Sequence, residues 1–364
     1  MSALPIWETL GTSVMGLGKK LNQDWGVAEG TGTADDPLVL AVADGHGSVS
    51  YPRSDLGARF AADLFAARGR EFGALVRPGR LPRLRDYARY ELPERLVRDW
   101  QTRVWEHWGR QPGPEGADAP REDVLRLYGS TLIGAVLAPG LLVAWQLGDG
   151  ELTVVDEDGR VRLPLAPERA ELGDETASLC MRKAWHLVRV HWEPLPEPDR
   201  APRLVALSTD GLSKSFASDE GFTEFTAGLY ERLAARGVPG IAEDVPRWLT
   251  EASRHSGDDT TLALAHRADR ACGASGPDPR AAWSTAPEPA APWGPGAGVD
   301  PVSKALDPSS GLPDPASSPP DPPLSPPDPT SRLSDPTSGL PDPASGLSDP
   351  SAGTRHDDEE TERP

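Results

Sequence analysis

Short apolar runs, four to eight residues long, recur at 25–28, 38–43, 131–138, 141–147, 152–156, 185–192 and 204–208. They are bounded by Gly, Pro, Asp and Ser, a pattern that predicts strands, and their number predicts a large antiparallel sheet system. A further strand is expected just after Asp258-Asp259. Between the runs the period changes. Leu92, Leu96, Trp100, Val104 and Trp108 lie four apart behind Pro93, as in a helix whose aromatic stripe packs on a sheet. Leu56, Phe60 and Leu64 mark a second helix, and 222–236 and 241–255 fit two more. The fold class predicted is α+β, sheets with helices packed against them. The most apolar stretch, 131–147, has the length of a membrane helix, but Pro139-Gly140 divides it at the middle. It therefore reads as strand, turn, strand. Asp156-Glu157-Asp158-Gly159 reads as a hairpin turn rather than a calcium loop, because the remaining ligand positions are missing.

The pattern stops near Arg270, and two segments are expected, a folded domain over 1–268 and a tail over 269–364. Most of the 40 prolines crowd into the tail, where large apolar side chains almost vanish. Such a composition cannot bury enough apolar surface to offset chain entropy, so the tail is expected to be disordered. Asp-Pro pairs repeat every seven residues from Asp300 to Asp349. A proline in each repeat and the lack of two apolar seam positions exclude a coiled coil. A hydrated spacer fits better, with best-formed units like that around Ser338–Ser345.

The formal net charge of −19 argues against a nucleic-acid partner, whose binding needs Lys and Arg to neutralise phosphate. Only two cysteines occur, Cys180 and Cys272, so no disulfide framework is implied. Glu8 interrupts the one apolar stretch before Gly11, and no basic run precedes a signal-type segment. The chain reads as a cytoplasmic monomer without a membrane span. Its excess of Arg over Lys, with abundant Ala, Gly and Pro, suggests a high-GC bacterial source.

Candidate chemistry lies at the strand ends. The run 38–43 leads into Asp44-Gly45, 141–147 into Gly148-Asp149-Gly150, and 204–208 into Thr209-Asp210-Gly211, while Asp258-Asp259 precedes the last strand. One aspartate at such a place is an ordinary turn residue. Several gathered at one sheet edge would form an oxygen-rich, negative pocket that needs cations. Ligands that are all hard oxygens select Mg²⁺ or Mn²⁺ over zinc. Water held between two such ions loses a proton easily and can attack phosphorus in line.

With these residues in view, the chain resembles the metal-dependent Ser/Thr protein phosphatases of type 2C, in particular their compact bacterial branch. The resemblance rests on Asp44-Gly45-His46-Gly47, with Asn22-Gln23-Asp24 before it and Gly129-Ser130-Thr131, Gly148-Asp149-Gly150, Ser208-Thr209-Asp210-Gly211 and Asp258-Asp259-Thr260-Thr261 after it. It spans residues 6–266. It implies a four-layer α/β-β/α sandwich of two antiparallel sheets flanked by helices, with a flap drawn from 169–182. It further implies that Asp44 bridges two metal ions, that the Gly45 carbonyl, Asp210 and Asp258 complete the pair, and that Asp24 supports it. Asp149 belongs to a third metal site, and His46 serves as general acid toward the leaving Ser or Thr oxygen. The implied partners are phosphorylated protein substrates of Ser/Thr kinases.

Two residues depart from that pattern. Lys19 stands where the family usually has an arginine gripping the substrate phosphate, and a lysine offers a point charge in place of a planar fork. Lys214 stands where many members carry an acid at the third metal site, which weakens that site. An alternative reading is a phosphatase fold turned to regulatory phosphoprotein binding, which these two lysines favour and the retained Asp44, His46, Asp210 and Asp258 oppose. A carboxylate-pair glycosidase would lack a glutamate placed as acid and leave the other aspartates idle.

Overall fold

Seven residues from Leu38 to Asp44 form a strand in which successive side chains enter different cores, and this strand organises the molecule. Val39, Ala41 and Ala43 face a helical layer, while Leu38, Leu40 and Val42 face a second sheet. Burial on both faces is why such strands read as continuous apolar runs instead of alternating ones. The structure is a computed structural model and describes residues 6–166, 176–195 and 201–268. The tail and 169–175 of the expected flap lie outside the described residues, as does Cys272. The chain divides into two units, Met1–Trp293 and Gly294–Pro364, and all described elements belong to the first.

The strands are β1 (Ile6–Val14), β2 (Asp24–Glu29), β3 (Leu38–Asp44), β4 (Leu132–Ala138), β5 (Leu141–Leu147), β6 (Glu151–Val155), β7 (Val161–Arg162), β8 (Arg189–Pro194), β9 (Leu204–Ser208) and β10 (Thr260–Ala268). They build two five-stranded sheets, ordered β1-β10-β9-β6-β7 and β2-β3-β4-β5-β8, with every pairing antiparallel. The helices are α1 (Ser54–Leu75), α2 (Leu81–Asp86), α3 (Leu92–Arg110), α4 (Arg121–Leu127), α5 (Asp210–Ser213), α6 (Asp219–Ile241) and α7 (Val245–Ser256). Helices α1 and α3 share a core with the second sheet, α6 and α7 share one with the first, and a third core lies between the sheets. This is the expected four-layer α/β-β/α arrangement. Among the described residues no helix is long and apolar enough to cross a membrane.

The stripe Leu92, Leu96, Trp100, Val104 and Trp108 is buried along α3, and Trp100 Nε1 donates to the Gly57 carbonyl at 2.9 Å. Gly57 also lets α1 lie close against the Tyr128 turn, because a Cβ there would lie 1.8 Å from the Tyr128 carbonyl oxygen. The turn at Pro139-Gly140 separates β4 from β5, with Gly140 in the left-handed region at φ +87°.

Three expectations need correction. Strand β1 is unheralded in the sequence because Glu8 breaks its apolar run; the Glu8 side chain faces α6 and accepts a hydrogen bond from Val238 N at 3.0 Å. The stretch 185–192 divides into a 3-10 turn at Ala184–Leu187 and strand β8, since Lys183 takes a left-handed backbone at φ 58° that tightens the chain before it extends. Ile241 closes α6, which is kinked at Gly237 (φ +66°), and the next helix starts only at Val245 with Pro246 in its first turn.

Candidate active site

Strand pairing alone brings the acidic residues together. Asp24 opens β2, Asp44 closes β3, and the two stand directly opposite each other in the antiparallel register. In the other sheet Thr209-Asp210 follows β9, and Asp258-Asp259 precedes β10, its neighbour. Asp149 lies where the chain crosses from β5 in one sheet to β6 in the other. Both sheets thus deliver carboxylates to one edge.

Backbone and hydroxyl contacts hold these groups in place. Thr131 N donates to the Asp44 carbonyl at 2.8 Å, and Asp44 N donates back to Thr131 Oγ1 at 3.0 Å, which accounts for the Gly129-Ser130-Thr131 motif. Gly45 donates to the Gln23 carbonyl at 3.1 Å and bridges to Ser130; a Cβ there would meet the Ser54 carbonyl oxygen at 2.5 Å, so only glycine fits. His46 N donates to the Gly129 carbonyl at 3.1 Å, its own carbonyl accepts from Gln23 Nε2 and Ser54 Oγ, and its ring meets Tyr51 edge-on at 4.7 Å. Asp24 Oδ2 accepts from Thr209 Oγ1 at 2.7 Å and Thr261 Oγ1 at 2.9 Å.

The electrostatics are those of an anionic pocket. Burial raises the Asp24 carboxyl well above the ordinary carboxylate range, and the Asp259 charge adds to it against the two threonine hydroxyls. Burial likewise raises Asp44, with the Asp24 and Asp210 charges adding, and raises Asp210, with the Asp149 charge adding and Lys214 opposing. Glu151, which opens β6, is pushed up to about 7 by burial and the Asp219 charge, with Arg189 opposing. It extends the acidic edge and carried no motif in the sequence.

Two ammonium groups stand among the carboxylates. Lys19 Nζ pairs with Asp258 and, at 3.1 Å, with Asp259; burial works to lower its pKa, but the Asp258 hydrogen bond and both charges leave it raised. Lys214 Nζ pairs with Asp210 and reaches Asp149 at 3.4 Å, again with a raised pKa against the pull of burial. Asp149 also accepts from Thr176 Oγ1 at 3.4 Å. The lysines occupy oxygens that a cation would otherwise take, and among the described residues no group of three His, Cys, Asp or Glu stands in ion-holding geometry.

The donor set still fits a pair of hard divalent ions. Asp24 Oδ1 and Asp210 Oδ1 are buried and accept no hydrogen bond. Buried carboxylate oxygens left bare cost several kcal/mol unless a proton or a cation meets them, roughly 1–3 kcal/mol each even for a neutral group. Asp44, Gly45, Asp210, Asp258 and Asp24 are therefore brought to one place, with Asp149 beside Lys214. Lys19 is tied to Asp258 and Asp259.

Asp259 is a residue that sequence reasoning passed over. It is 2% exposed and accepts from Gly16 N and Gln23 N, each at 2.8 Å, as well as from Lys19. It ties the loop before Asp24 to the turn before β10. Nothing in the pair Asp258-Asp259 told that the second carboxylate meets the loop.

The sequence matches a family model described as protein phosphatase 2C over residues 18–251. Among solved structures the chain is similar to the Mycobacterium tuberculosis serine/threonine phosphatase PstP/Ppp, at 17% identity over 72% of this chain and 100% of that one, with a TM-score of 0.48. It is similar to the catalytic domain of PstP in complex with two manganese ions, at 20% identity over 72% and 99% of the two chains and a TM-score of 0.45. It is also similar to Stp1 from Staphylococcus aureus, at 16% identity over 73% and 97% and a TM-score of 0.46. No curated protein sequence matches it.

Proposed function

Because this chain belongs to the protein phosphatase 2C family, we propose that it hydrolyses phosphoserine and phosphothreonine esters on proteins, with Mn²⁺ or Mg²⁺ held at the acidic sheet edge. The observation that carries the reading is the crowding of half-buried Asp44 with buried Asp24 and Asp210, the latter two each with an unmet oxygen. Asp44, the Gly45 carbonyl, Asp210 and Asp258 are the groups to hold the ions, supported by Asp24. Bound ions of this class polarise phosphoryl oxygens and acidify water. A pure binding module has no physical need for this set, so the regulatory alternative is not favoured. The substrates on this reading are proteins modified by Ser/Thr kinases, met in the cytoplasm by a monomeric enzyme. The test is phosphate release from phosphoserine and phosphothreonine peptides by the full chain with Mn²⁺; release that persists undiminished in excess chelator would sink the reading.

His46 supplies a proton to the leaving Ser or Thr oxygen as the ester bond breaks. Its backbone is pinned by Gly129, Gln23 and Ser54 two residues after Asp44, and its ring packs edge-on against Tyr51. An alkoxide leaving group needs that proton and a nitrophenolate does not. His46→Ala is therefore expected to lose roughly a hundredfold in kcat on a phosphothreonine peptide but only a few-fold on p-nitrophenyl phosphate. Equal losses on both would remove the general-acid role.

Lys214 takes the place of a third ion beside Asp149 and Asp210. An ammonium there repels a further cation and neutralises part of the same charge. Wild type is expected to show no activation phase as Mn²⁺ rises into the millimolar range, and Lys214→Asp to create one that Asp149→Ala removes again. Superimposable Mn²⁺ titrations of wild type and Lys214→Asp would contradict this.

The phosphatase domain on this reading is 1–268, with 269–364 a disordered spacer. A chain truncated after Arg270 is expected to melt within about 2 °C of the full chain, a shift of under about 1 kcal/mol at this size. Aggregation or a much lower melting temperature would show that the tail contributes to the fold.

A further inference from the structure

Large apolar side chains are rarely left in water in groups, although single ones are common. Among the described residues eight are exposed, and half of them, Met15 (48%), Leu17 (72%), Leu21 (50%) and Val49 (98%), lie on the loops that join β1 to β2 and β3 to α1. The two loops face each other: a Cβ on Gly47 would stand 3.6 Å from Gln23 Oε1 and 3.9 Å from Lys19 Nζ. This apolar lip borders the acidic edge, since Lys19 pairs with Asp258 and Asp259 and the second loop leaves directly from Asp44. Val49 also lines a groove of about 450 Å³, in which Pro52, Pro120 and Leu127 supply apolar wall and Glu115, Asp123 and Arg126 supply charge. Val49 is three residues beyond His46, so the groove opens within about 11 Å of the general acid along the chain.

The geometry points to a specificity site: the lip and groove bind substrate segments that carry a large apolar side chain within a few residues of the phosphorylated Ser or Thr. The inference rests on the phosphatase reading above and names the substrate class for that same site. A polypeptide is the fitting occupant because the groove has the size of one or two side chains. The neighbouring carboxylates would repel an anionic lipid face. The exposure of Leu17 and Val49 lets them be replaced without opening the core.

The experiment compares two phosphothreonine peptides of equal length and charge on the full chain with Mn²⁺, one with Leu and Val flanking the phosphorylated residue, the other with Ser and Gly. Wild type is expected to favour the apolar peptide by roughly tenfold in kcat/KM, chiefly through KM, as expected for partial burial of one or two such side chains. The double variant Leu17→Ser/Val49→Ser is expected to bring the ratio close to one. Equal turnover of both peptides by wild type, or a ratio unchanged in the variant, overturns the inference while leaving the phosphatase reading intact. No turnover of either peptide removes both. Co-sedimentation of wild type, but not of the variant, with phosphatidylglycerol vesicles would assign the lip to a lipid surface and overturn the peptide site.

Discussion

Asp44→Asn is expected to lower kcat/KM for a phosphothreonine peptide by at least about a thousandfold at saturating Mn²⁺, roughly 4 kcal/mol of transition-state stabilisation. The amide keeps the volume of the side chain and its place at the end of β3, so the loss reports charge and ligation and not packing. Asp44 is the residue to which the charges of Asp24, Asp210 and Asp258 all point. No neighbour can replace it without moving a strand. Asp210→Asn should fall almost as far, because its side chain is buried and one of its oxygens has no other partner. The two changes together should cost little more than either alone, since groups that act as one unit are not additive. A loss below tenfold for Asp44→Asn, with the variant folded, would show that hydrolysis does not depend on this cluster.

The same substitution is expected to stabilise the protein in the absence of divalent ions. Asp24, Asp44 and Asp210 have carboxyl pKa values raised in the folded state, so the folded chain binds protons more tightly than the unfolded chain does. Their contribution is therefore most favourable at low pH and is lost as pH rises above the ordinary carboxylate value of about 4 toward the raised ones. Lys19 and Lys214 offset part of this loss, because both remain charged over that range. In excess chelator, Asp44→Asn should melt above wild type at pH 8, and the gap should narrow as pH falls toward 5. Mn²⁺ should close the gap from the other side. At a hundredfold excess over Kd it stabilises wild type by about 2.7 kcal/mol. That corresponds to roughly 5–11 °C at this domain size, and the variant should gain far less. A wild type that melts above Asp44→Asn at pH 8 without metal would contradict the account. The trade is the usual one for active sites, where function maintains a local arrangement that folding alone disfavours.

Much of this was legible in the sequence because two kinds of signal coincide. Strands β3, β4, β5 and β9 are buried on both faces, so their composition is almost wholly apolar, and β3, β5 and β9 run into Asp-Gly, Gly-Asp-Gly and Thr-Asp-Gly. The candidate site inherits that sharpness at Asp44, Asp149 and Asp210, while Asp24 and Asp258 stand at the starts of other strands. Strand β1 was hidden for the opposite reason: it is an edge strand whose Glu8 leaves the apolar pattern to meet α6. The positions of Lys19 and Lys214 were legible as departures from a family pattern, but their pairing with Asp258, Asp259, Asp210 and Asp149 depends on where three separate turns meet. Asp259 illustrates the limit most plainly. Adjacent to Asp258 and identical to it in type, it differs only in being buried against Gly16 and Gln23, a distinction that exists only once the loop before β2 has docked.

The central claim, that the acidic edge is a cation site, is tested most directly by calorimetric titration of Mn²⁺ into the chelated, dialysed full chain in two buffers of different ionisation enthalpy. Binding of two ions is predicted, accompanied by release of protons near neutral pH, since carboxyls with raised pKa values must ionise to become ligands. Asp44→Asn should abolish the tighter event. Absence of Mn²⁺ binding, or binding that Asp44→Asn leaves unchanged in stoichiometry and affinity, would contradict the account.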